Sequence, residues 1–496
     1  MGRIEEIQKE RQKKVNELRK EGVNPYPSGY NKEDYVKDLQ EKFKKLNDGA
    51  RTKSKVNMAG RVMAIRDMGK LIFAEVQDGS GKIQIALQDG DTSNKEMKFF
   101  KKFIDAGDFI GVKGVIMKTK RGELSILVDK VELLTKSILP LPEKWHGLKD
   151  EEEKYRKRYL DILLNPELKE MFRKKAIFWN TIRGFLIEEG FTEVETPVLE
   201  NKTGGADAAP FVTHHNALDI DVYLRISMGE LWQKRLMVAG FEKTFEIGRQ
   251  FRNEGMSHEH LQDYSQMEFY WAYADFNKAM DLVEEMYKRV TGAVLGSYKF
   301  ESRGYKVDLN KKWKRIKYAE EIKKQTGIDI FKVDEERLKK ELRKRKVEIE
   351  ESWGKERLID YVWKECRKNI TGPCFIINPP VEICPLAKKN SRDPRVADRF
   401  WVLIAGSELG NGYSELNDPI DQEQRFIKQQ EMRDKGDEEA QMHDKDFVEA
   451  LKYGMPPTAG FGLSERVFAY LVGKPAREAQ IFPLLKPEEE KSKSSK

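Results

Sequence analysis

The chain has 496 residues, 35% of them charged and 10% aromatic, and its 91 basic and 84 acidic side chains give a formal net charge of +7. This length accommodates two or three domains, and the composition argues against wholesale disorder. The charge is compatible with a polyanionic partner without requiring one. Three cysteines without a CxxC pair argue against structural zinc and favour a reducing compartment. No apolar run approaches the roughly eighteen residues of a membrane helix, and no signal core opens the chain, so we expect a cytoplasmic protein without a membrane partner.

Residues 1–50 are predicted to form a charged helical extension. Its apolar stripe is thin, with Ile4, Ile7, Val15 and Leu18 as its members. Prolines near residue 25 interrupt the helical pattern. A solvated surface helix is the simpler interpretation, and a contact with nucleic-acid phosphates is the less favoured alternative.

Residues 51–140 show the two-residue hydrophobic period of strands. Five short strands, with a helical segment between the third and the fourth, predict a small closed β-barrel of the oligonucleotide-binding (OB) type. Its outward candidates combine an aromatic ring for base stacking with polar groups for base edges: Arg61, Phe73, Gln84 and Glu123. On pattern alone, RNA binding and ordinary strand packing both remain open.

A proline-punctuated linker separates the barrel from a second predicted domain, residues 141–487. A long helix is expected over residues 172–189, and Pro197 ends the pairing of the strand that follows it. Residues 311–370 are crowded with Lys, Arg and Glu and predict an inserted helical subdomain with a solvated surface. Residues 488–496 are expected to be a disordered tail.

The most informative stretch is residues 245–270, which predicts two strands around a loop. One face of this hairpin is apolar, and the other gathers Glu246, Gln250, Arg252, Glu254, Tyr264, Gln266, Glu268 and Tyr270. A face this polar is unsuited to a core. It predicts the floor of a cleft for a charged ligand.

Two further segments carry candidate chemistry. Arg466 follows closely spaced glycines in GFGLSER, which suits the approach of a phosphate. Asn411, Tyr413 and Glu415 share one face of a strand, whereas Glu408 has the opposite parity, so we expect a bend or bulge at Gly410. The P-loop, GxSxG and HExxH patterns are absent. The residues by themselves indicate a phosphate-using α+β enzyme with an attached barrel.

Several segments resemble the class II aminoacyl-tRNA synthetases. FRNEG followed by MEFYWAYAD is similar to motif 2 of that class, GFLIEEGFTEVETPVL to motif 1, and GFGLSER to motif 3. Within the class, PLPEKWHGL, ELWQKRL, VEICPLAK and GNGYSELND resemble blocks of the lysyl-tRNA synthetases. The resemblance runs in order from about residue 55 to residue 487. It implies an α+β fold, in which the OB-type barrel precedes a catalytic domain built on an antiparallel sheet with a helical insertion.

The resemblance also implies an ATP-dependent attachment of L-lysine to tRNA(Lys) through a lysyl-adenylate, in a homodimer joined through motif 1. Arg252 and Arg466 would be catalytic: Arg252 would bridge the two anionic reactants, and Arg466 would hold the γ-phosphate end. Glu254 and His260 would orient ATP, and Tyr264 would stack on adenine. The lysine-binding residues would be Gly205, Glu230, Glu268, Tyr270, Asn411, Tyr413 and Glu415. Glu408 would contact Mg²⁺, and Arg61, Phe73, Gln84 and Glu123 would read the anticodon.

Three positions depart from the family pattern. Trp401 stands where the family has a glutamate that contacts Mg²⁺ with Glu408, which reduces the expected magnesium complement. Glu259 stands where a basic residue is usual before His260. Motif 3 is also one residue shorter than in the family.

Other functions share part of these features. An aspartyl- or asparaginyl-type tRNA synthetase would have the same barrel and motifs, but Glu415 and Tyr270 suit a long cationic side chain instead. A lysyltransferase acting on a protein would lack the barrel. A catalytically silent RNA-binding paralogue is disfavoured by Arg252, Glu254 and Arg466, while Trp401 keeps it open.

Overall fold

The computed structural model describes residues 2–142, 150–255, 261–350, 353–436 and 440–488. All of the predicted tail except its first residue lies outside these ranges. The chain divides into two compact units, Met1–Lys149 and Asp150–Lys496. Within the described ranges, no helix has the length and apolarity needed to cross a membrane.

The first unit contains a closed β-barrel, as the alternating sequence pattern predicts. Its strands are β1 (Arg51–Asp67), β2 (Leu71–Gln77), β3 (Lys82–Gln88), β4 (Phe109–Lys118) and β5 (Leu124–Thr135), and they close in the order β1-β2-β3-β5-β4. Helix α3 (Asn94–Phe103) lies between β3 and β4, and the Ser93 side chain caps it by accepting from the Glu96 backbone N–H. The OB-type architecture is therefore confirmed.

The N-terminal extension forms helices α1 (Arg3–Lys20) and α2 (Val36–Lys42). Most side chains of α1 are exposed to solvent, but Leu18 is fully buried in the hydrophobic cluster of the barrel, so the helix is docked. Arg11 fixes the same helix by donating to the Ala106 carbonyl at 2.8 Å and to the Leu139 carbonyl at 3.0 Å. The thin apolar stripe is thus sufficient for docking, since a buried arginine adds hydrogen bonds to it.

The second unit is a mixed α+β domain. Its helices are α4 (Glu151–Arg156), α5 (Arg158–Leu164), α6 (Pro166–Glu188), α7 (Glu230–Val238), α8 (Phe276–Leu295), α9 (Tyr318–Thr326), α10 (Glu335–Lys344), α11 (Lys355–Arg367), α12 (Pro419–Asp434), α13 (Lys445–Lys452) and α14 (Arg466–Leu471). Its strands are β6 (Thr192–Glu193), β7 (Leu199–Glu200), β8 (Val212–His215), β9 (Ile220–Leu224), β10 (Lys243–Phe251), β11 (Asp263–Ala272), β12 (Lys299–Ser302), β13 (Tyr305–Asp308), β14 (Lys314–Lys317), β15 (Cys374–Ile377), β16 (Arg399–Ile404), β17 (Ser407–Ser414) and β18 (Thr458–Ser464).

An eight-stranded sheet in the order β14-β15-β16-β17-β18-β11-β10-β6 forms the centre of this unit. Helices α6, α8 and α14 contribute to the hydrophobic core on one face of the sheet, where Phe245, Phe269 and Phe461 are also buried. Because side chains alternate along a strand, the residues between these phenylalanines face the opposite side. The core therefore covers one face and leaves the other available for a ligand.

The strands in the middle of the sheet are antiparallel, but both edges are parallel pairs: β14 with β15, and β6 with β10. A parallel pair needs a long crossover connection. Helices α9, α10 and α11 lie in the connection between β14 and β15. The predicted helical insertion thus serves as a crossover of the sheet itself.

The pairing of β16 with β17 contains the irregularity that was expected near Gly410. Val402 pairs with Gly410, but Leu403 pairs with Glu408, so Leu409 is an extra residue. One inserted residue reverses the side on which the preceding side chain lies. The bulge therefore brings Glu408 to the same face of the sheet as Asn411.

We predict that Gly410→Ala destabilises the protein. A Cβ at Gly410 would lie 2.6 Å from Cζ of Phe461 and 2.8 Å from the hydroxyl oxygen of Tyr287, which itself donates to the Leu409 carbonyl. Overpacking of this kind costs about 1–3 kcal/mol of unfolding free energy. Gly184→Ala in α6 is the matched control, because a Cβ there meets no atom within 4 Å, and it should be neutral or slightly stabilising. Denaturant unfolding measures both variants, and equal stabilities would contradict the prediction.

Candidate active site

A cavity of about 700 Å³ opens on the polar face of the eight-stranded sheet. The catalytic-domain residues predicted from the sequence that line it are Gly205, Glu230, Arg252, Glu254, Tyr264, Glu268, Tyr270, Glu408, Asn411, Tyr413, Glu415 and Arg466. His260, with His258 and Glu259 beside it, lies outside the described residues. The fold thus assembles one cavity from segments that are far apart in the sequence.

Strand register explains why these side chains meet. Gly462 of β18 pairs with Glu268 on one side and with Asn411 on the other. Two residues away, Gly460 pairs with Tyr270 and with Tyr413. Two rows of side chains therefore cross β11, β18 and β17 on the same face.

The glycines of β18 make room for these rows. A Cβ at Gly460 would lie 2.1 Å from Oε1 of Glu415 and 2.8 Å from the Tyr270 ring, and a Cβ at Gly462 would lie 3.0 Å from Cγ of Glu268. Any larger residue would displace a side chain of the cavity floor. The GFG sequence therefore has a steric role beneath the ligand cavity, while Phe461 between the glycines packs into the core.

The floor carries three buried carboxylates, those of Glu230, Glu268 and Glu415. Glu268 accepts hydrogen bonds from the Tyr270 hydroxyl at 3.0 Å, from the Gln266 amide at 2.6 Å and from the Met228 backbone N–H at 3.1 Å. The Tyr413 hydroxyl donates to Glu230. These bonds orient the carboxylates but bring no positive charge.

The cation of this cluster is Lys234, which is not among the site residues predicted from the sequence. Its ammonium group is fully buried and lies 2.7 Å from Oε1 of Glu230 and 2.5 Å from Oε2 of Glu415. Lys234 follows Glu230 by four residues on α7, and this spacing places two side chains side by side on a helix. That spacing was a usable sequence signal for the pair with Glu230, but the contact with Glu415 depends on the tertiary structure.

The acid groups outnumber this single lysine. Burial, reinforced by the Glu230 carboxylate, raises the pKa of Glu268 to about 7. Burial also raises the pKa of Glu415 well above its ordinary value, although the Lys234 ammonium opposes the change. For Lys234 itself, burial would lower the pKa, but Glu230 and Glu415 outweigh burial and raise it. A further cation entering the cavity would therefore be stabilised.

The neighbouring part of the cavity is cationic. Arg252 directly follows β10, and its guanidinium group donates to the Ile226 carbonyl at 3.3 Å and lies 5.8 Å from the centre of the Tyr264 ring. Arg466 begins α14, and its backbone N–H donates to the Ser464 hydroxyl at 3.3 Å. Because Ser464 pairs with Gln266, Arg466 and Tyr264 lie toward one end of β11, and Tyr270 lies toward the other. Arg466 is thus separated along the strand from Tyr270 and from the Glu415 carboxylate beside it.

Some residues of the predicted polar face of the hairpin line the cavity, and others form contacts within the protein. Its members from Tyr264 to Tyr270 line the cavity, but Glu246 and Gln250 do not. Glu246 instead forms a buried ion pair with Arg225 and accepts from the Thr196 hydroxyl at 2.6 Å. The prediction of a single continuous floor is therefore too broad, since one carboxylate of that face is structural.

The surroundings of Glu408 do not suit a metal ion held by the protein. Its Oε1 accepts from the Trp363 indole N–H at 2.6 Å and lies 3.0 Å from Nη1 of Arg367. The position that would supply a second carboxylate is Trp401, a buried aromatic. Among the residues that the structure describes, no group of three or more His, Cys, Asp and Glu side chains is arranged to hold a metal.

Three more cavity residues have no counterpart in the sequence predictions. Arg399 donates to the Asn411 amide oxygen at 2.8 Å and to the Ile383 carbonyl at 3.1 Å. Gln441 donates to the Asp207 carboxylate at 3.3 Å and accepts from the Gly205 backbone N–H at 3.4 Å. Burial raises the pKa of Asp207. These residues support predicted ligand-binding residues from loops and distant strands, so no local spacing reveals them.

On the barrel, the predicted RNA-binding residues lie on or next to the β1-β2-β3 surface. Phe73 and Gln84 are half-buried on β2 and β3, and Gln84 donates to the Ser125 hydroxyl, which donates to the Glu123 carbonyl. Arg61 lies 4.4 Å from the centre of the Phe109 ring. Phe109 is 37% exposed and adds a second aromatic ring that the sequence analysis did not select.

Each of the two units matches a known protein family. Residues 150–486 match the family model of the class II tRNA synthetases (D, K and N), and residues 56–134 match an OB-fold nucleic-acid-binding domain of the anticodon-binding type. The chain therefore belongs to the class II tRNA synthetases.

Individual relatives narrow the assignment. The chain is 45% identical to a lysine–tRNA ligase of Thermotoga maritima, over 98% of this chain and 97% of the relative. It is 44% identical to that of Fervidobacterium nodosum, covering 98% and 95% of the two chains, and 43% identical to that of Carboxydothermus hydrogenoformans, covering 98% and 99%. Within its class, the chain is a member of the lysine–tRNA ligase family.

We predict that Lys234→Met lowers the free energy of unfolding by about 3–5 kcal/mol, because Glu230 and Glu415 lose their buried counter-charge. The deficit should shrink as the pH falls from 8 to 5, since burial raises the pKa of Glu415 and its protonated carboxyl needs no counter-charge. Lys445→Met, at an exposed position of α13, is the control.

Urea unfolding across this pH range measures the effect. Adding Glu415→Gln to Lys234→Met should recover part of the lost stability. A deficit that does not depend on pH and is not rescued would show that Lys234 contributes through packing instead of charge.

Proposed function

We propose that this protein attaches L-lysine to tRNA(Lys) in an ATP-dependent reaction that passes through a lysyl-adenylate. The observation that carries the proposal is the charge layout of the cavity. Buried carboxylates gather at one end of β11, and Arg252 and Arg466 lie toward the other. Lysine brings two ammonium groups and one carboxylate, so it fits across this gradient with its carboxylate toward the arginines.

In the first step, an oxygen of the lysine carboxylate attacks the α-phosphorus of ATP. The new P–O bond forms as the bond to the β-phosphate breaks, and pyrophosphate leaves with the electron pair. Arg252 brings the two anions together and stabilises the negative charge that grows on the α-phosphate oxygens. Glu254, Tyr264, Arg466 and His260 position the nucleotide, so that orientation and charge neutralisation supply the rate without an enzyme nucleophile.

In the second step, a ribose hydroxyl at the tRNA 3′ end attacks the acyl carbon of the adenylate, and AMP leaves. The barrel surface with Arg61, Phe73, Gln84 and Glu123 is proposed to bind the anticodon. The exposed aromatic Phe109 beside Arg61 supports this assignment, because unpaired bases stack on such rings.

Selection of lysine follows from the acidic floor. Glu230 and the Gly205 carbonyl are proposed to bind the α-ammonium group, and Glu415 with Tyr270 the ε-ammonium group. Glu268, Asn411 and Tyr413 line the remainder of the site. Aspartate would be repelled by these carboxylates, and asparagine would leave a buried charge without a partner. This argues against an aspartyl- or asparaginyl-type enzyme.

Magnesium is proposed to enter as part of the ATP substrate. Glu408 is the carboxylate that the sequence resemblance implies as a magnesium ligand. Its contacts with Trp363 and Arg367 leave little room for metal coordination. No step above depends on a metal ion held by the protein.

A homodimer and a cytoplasmic location complete the proposal. Motif 1 leaves the large apolar side chains of Ile187 and Leu199 exposed by 53% and 50%, as suits a surface that a second copy covers. The cysteines Cys366, Cys374 and Cys384 are buried and unpaired, which is typical of a reducing compartment.

The test is ATP–pyrophosphate exchange. We predict exchange that depends on L-lysine and does not occur with aspartate or asparagine. Glu415→Gln should raise the KM for lysine by a factor worth roughly 2–5 kcal/mol, the cost of losing one partner of a buried charge pair, while the KM for ATP changes little.

Glu449→Gln on the exposed surface of α13 provides the matched control for the loss of one carboxylate. Exchange with aspartate instead of lysine would overturn the assignment. Absence of exchange with all three amino acids would favour the silent RNA-binding paralogue.

The proposal also predicts a pH dependence of lysine binding. Because the pKa of Glu268 is about 7, this side chain is largely neutral at pH 6 and ionised at pH 8. Only the ionised form attracts the lysine cation. A one-proton linkage at this pKa lowers the KM for lysine about tenfold between pH 6 and pH 8, and Glu268→Gln should flatten the profile. A flat wild-type profile, or an unchanged slope in the variant, would contradict this assignment.

A further inference from the structure

One wall of the cavity comes from α11, a helix of the insertion. Arg357 and Lys364 line the cavity. They are seven residues apart, which places them two turns apart on one face of the helix. Arg367 extends this face by contacting Glu408. The wall thus presents a row of cations on the same cavity that holds Arg252 and Arg466.

Aromatic packing fixes α11 against the sheet. Trp363 is fully buried, its ring centre lies 4.8 Å from that of Tyr318, and its indole N–H donates to Glu408. Trp401 on β16 extends the cluster, with its ring centre 5.7 Å from that of Tyr318. The helix is therefore held in place from behind, and its basic face cannot turn away from the cavity without breaking this cluster.

The two basic side chains that line the cavity, Arg357 and Lys364, contact residues of α11 and the segment just before it. Lys364 lies 2.8 Å from the Asp360 carboxylate and 4.5 Å from the centre of the Tyr361 ring, and Arg357 lies 5.4 Å from the centre of the Trp353 ring. A guanidinium group has five N–H donors, and contact with an aromatic face leaves them available. On this wall Arg357, Lys364 and Arg367 outnumber the acids Asp360 and Glu408.

Among the described residues, this part of the cavity lacks a pair of carboxylates that could hold a metal ion, because Trp401 lies beside Glu408. Trp401 cannot coordinate a cation through oxygen, and Arg367 already neutralises Glu408. Side-chain cations thus occupy the part of the cavity where a metal held by two carboxylates would otherwise neutralise phosphate.

We propose that the basic face of α11, Arg357 with Lys364, binds the β- and γ-phosphates of the nucleotide and so takes over the role of a metal held by the protein. The identification of the nucleotide as ATP rests on the function proposed above. During adenylation the leaving pyrophosphate gains negative charge, and these two cations would stabilise it. The enzyme would consequently bind the triphosphate with little dependence on magnesium.

The experiment is calorimetric titration of the full-length protein with β,γ-methylene-ATP, once with Mg²⁺ and once with EDTA. The wild type should bind without Mg²⁺ within about threefold of its affinity in Mg²⁺, a difference below 1 kcal/mol. The double variant Arg357→Gln/Lys364→Gln should lose about tenfold or more of its affinity in EDTA, as expected for the loss of charge-assisted hydrogen bonds. Its affinity for L-lysine, titrated separately, should be unchanged.

The matched control is Lys355→Gln/Lys368→Gln, which removes the same charge from both ends of α11 at residues that do not line the cavity. It should bind like the wild type. Wild-type binding that requires Mg²⁺ would overturn the proposal, as would equal losses in the two double variants. Unchanged lysine affinity in Arg357→Gln/Lys364→Gln excludes misfolding as the cause.

Failure of the proposed function gives a different result. If the protein binds the nucleotide through α11 but shows no lysine-dependent pyrophosphate exchange, the phosphate site stands and the assigned reaction falls. If exchange occurs but binding needs Mg²⁺, the reaction stands and the role of α11 falls.

Discussion

The architecture of the second unit depends on one constraint, the two-sidedness of strands β11, β18 and β17. Phe269 and Phe461 point into the core, and Glu268 and Tyr270 point into the cavity. A shift of one residue in register would turn Glu268 into the apolar core and the phenylalanines toward the cavity. The core thus fixes the register, and the register places the ligand-binding side chains. Gly460 and Gly462 of β18 have no side chains, which leaves space for Glu415, Tyr270 and Glu268 on the cavity side of the sheet.

The electrostatics of the floor follow from this geometry. Three carboxylates are buried close together, and the cation that accompanies them is Lys234. Burying charges costs several kcal/mol each unless they are paired, and the raised pKa values of Glu268 and Glu415 reflect an incomplete balance. A ligand with two ammonium groups would correct it. Under the proposed function, specificity for a cationic amino acid would follow from the charge of this floor, in which Lys234 pairs with Glu230 and Glu415.

The part of the cavity around Glu408 is bordered by aromatic and basic side chains. Trp401, Trp363 and Tyr318 form an aromatic cluster behind α11. A tryptophan in place of a carboxylate removes an oxygen ligand and at the same time anchors a helix that carries arginine and lysine. Under the proposed role of α11, the packing that leaves Glu408 without a second carboxylate also holds Arg357 and Lys364 at the cavity wall. Helix α11 thus connects the helical insertion, predicted over residues 311–370, to the cavity.

The sequence by itself determined the strand and helix periods, the barrel, the hairpin of residues 245–270 and part of the set of residues that line the cavity, because period-two alternation and the motif blocks are local signals. It also indicated the irregularity near Gly410. The tertiary structure decided the rest. The pairing of Lys234 with Glu415, the diversion of Glu246 to Arg225, and the placement of Arg357 and Lys364 on the cavity wall all join segments that are far apart in the chain. Such contacts depend on register, helix docking and burial, which no local pattern encodes.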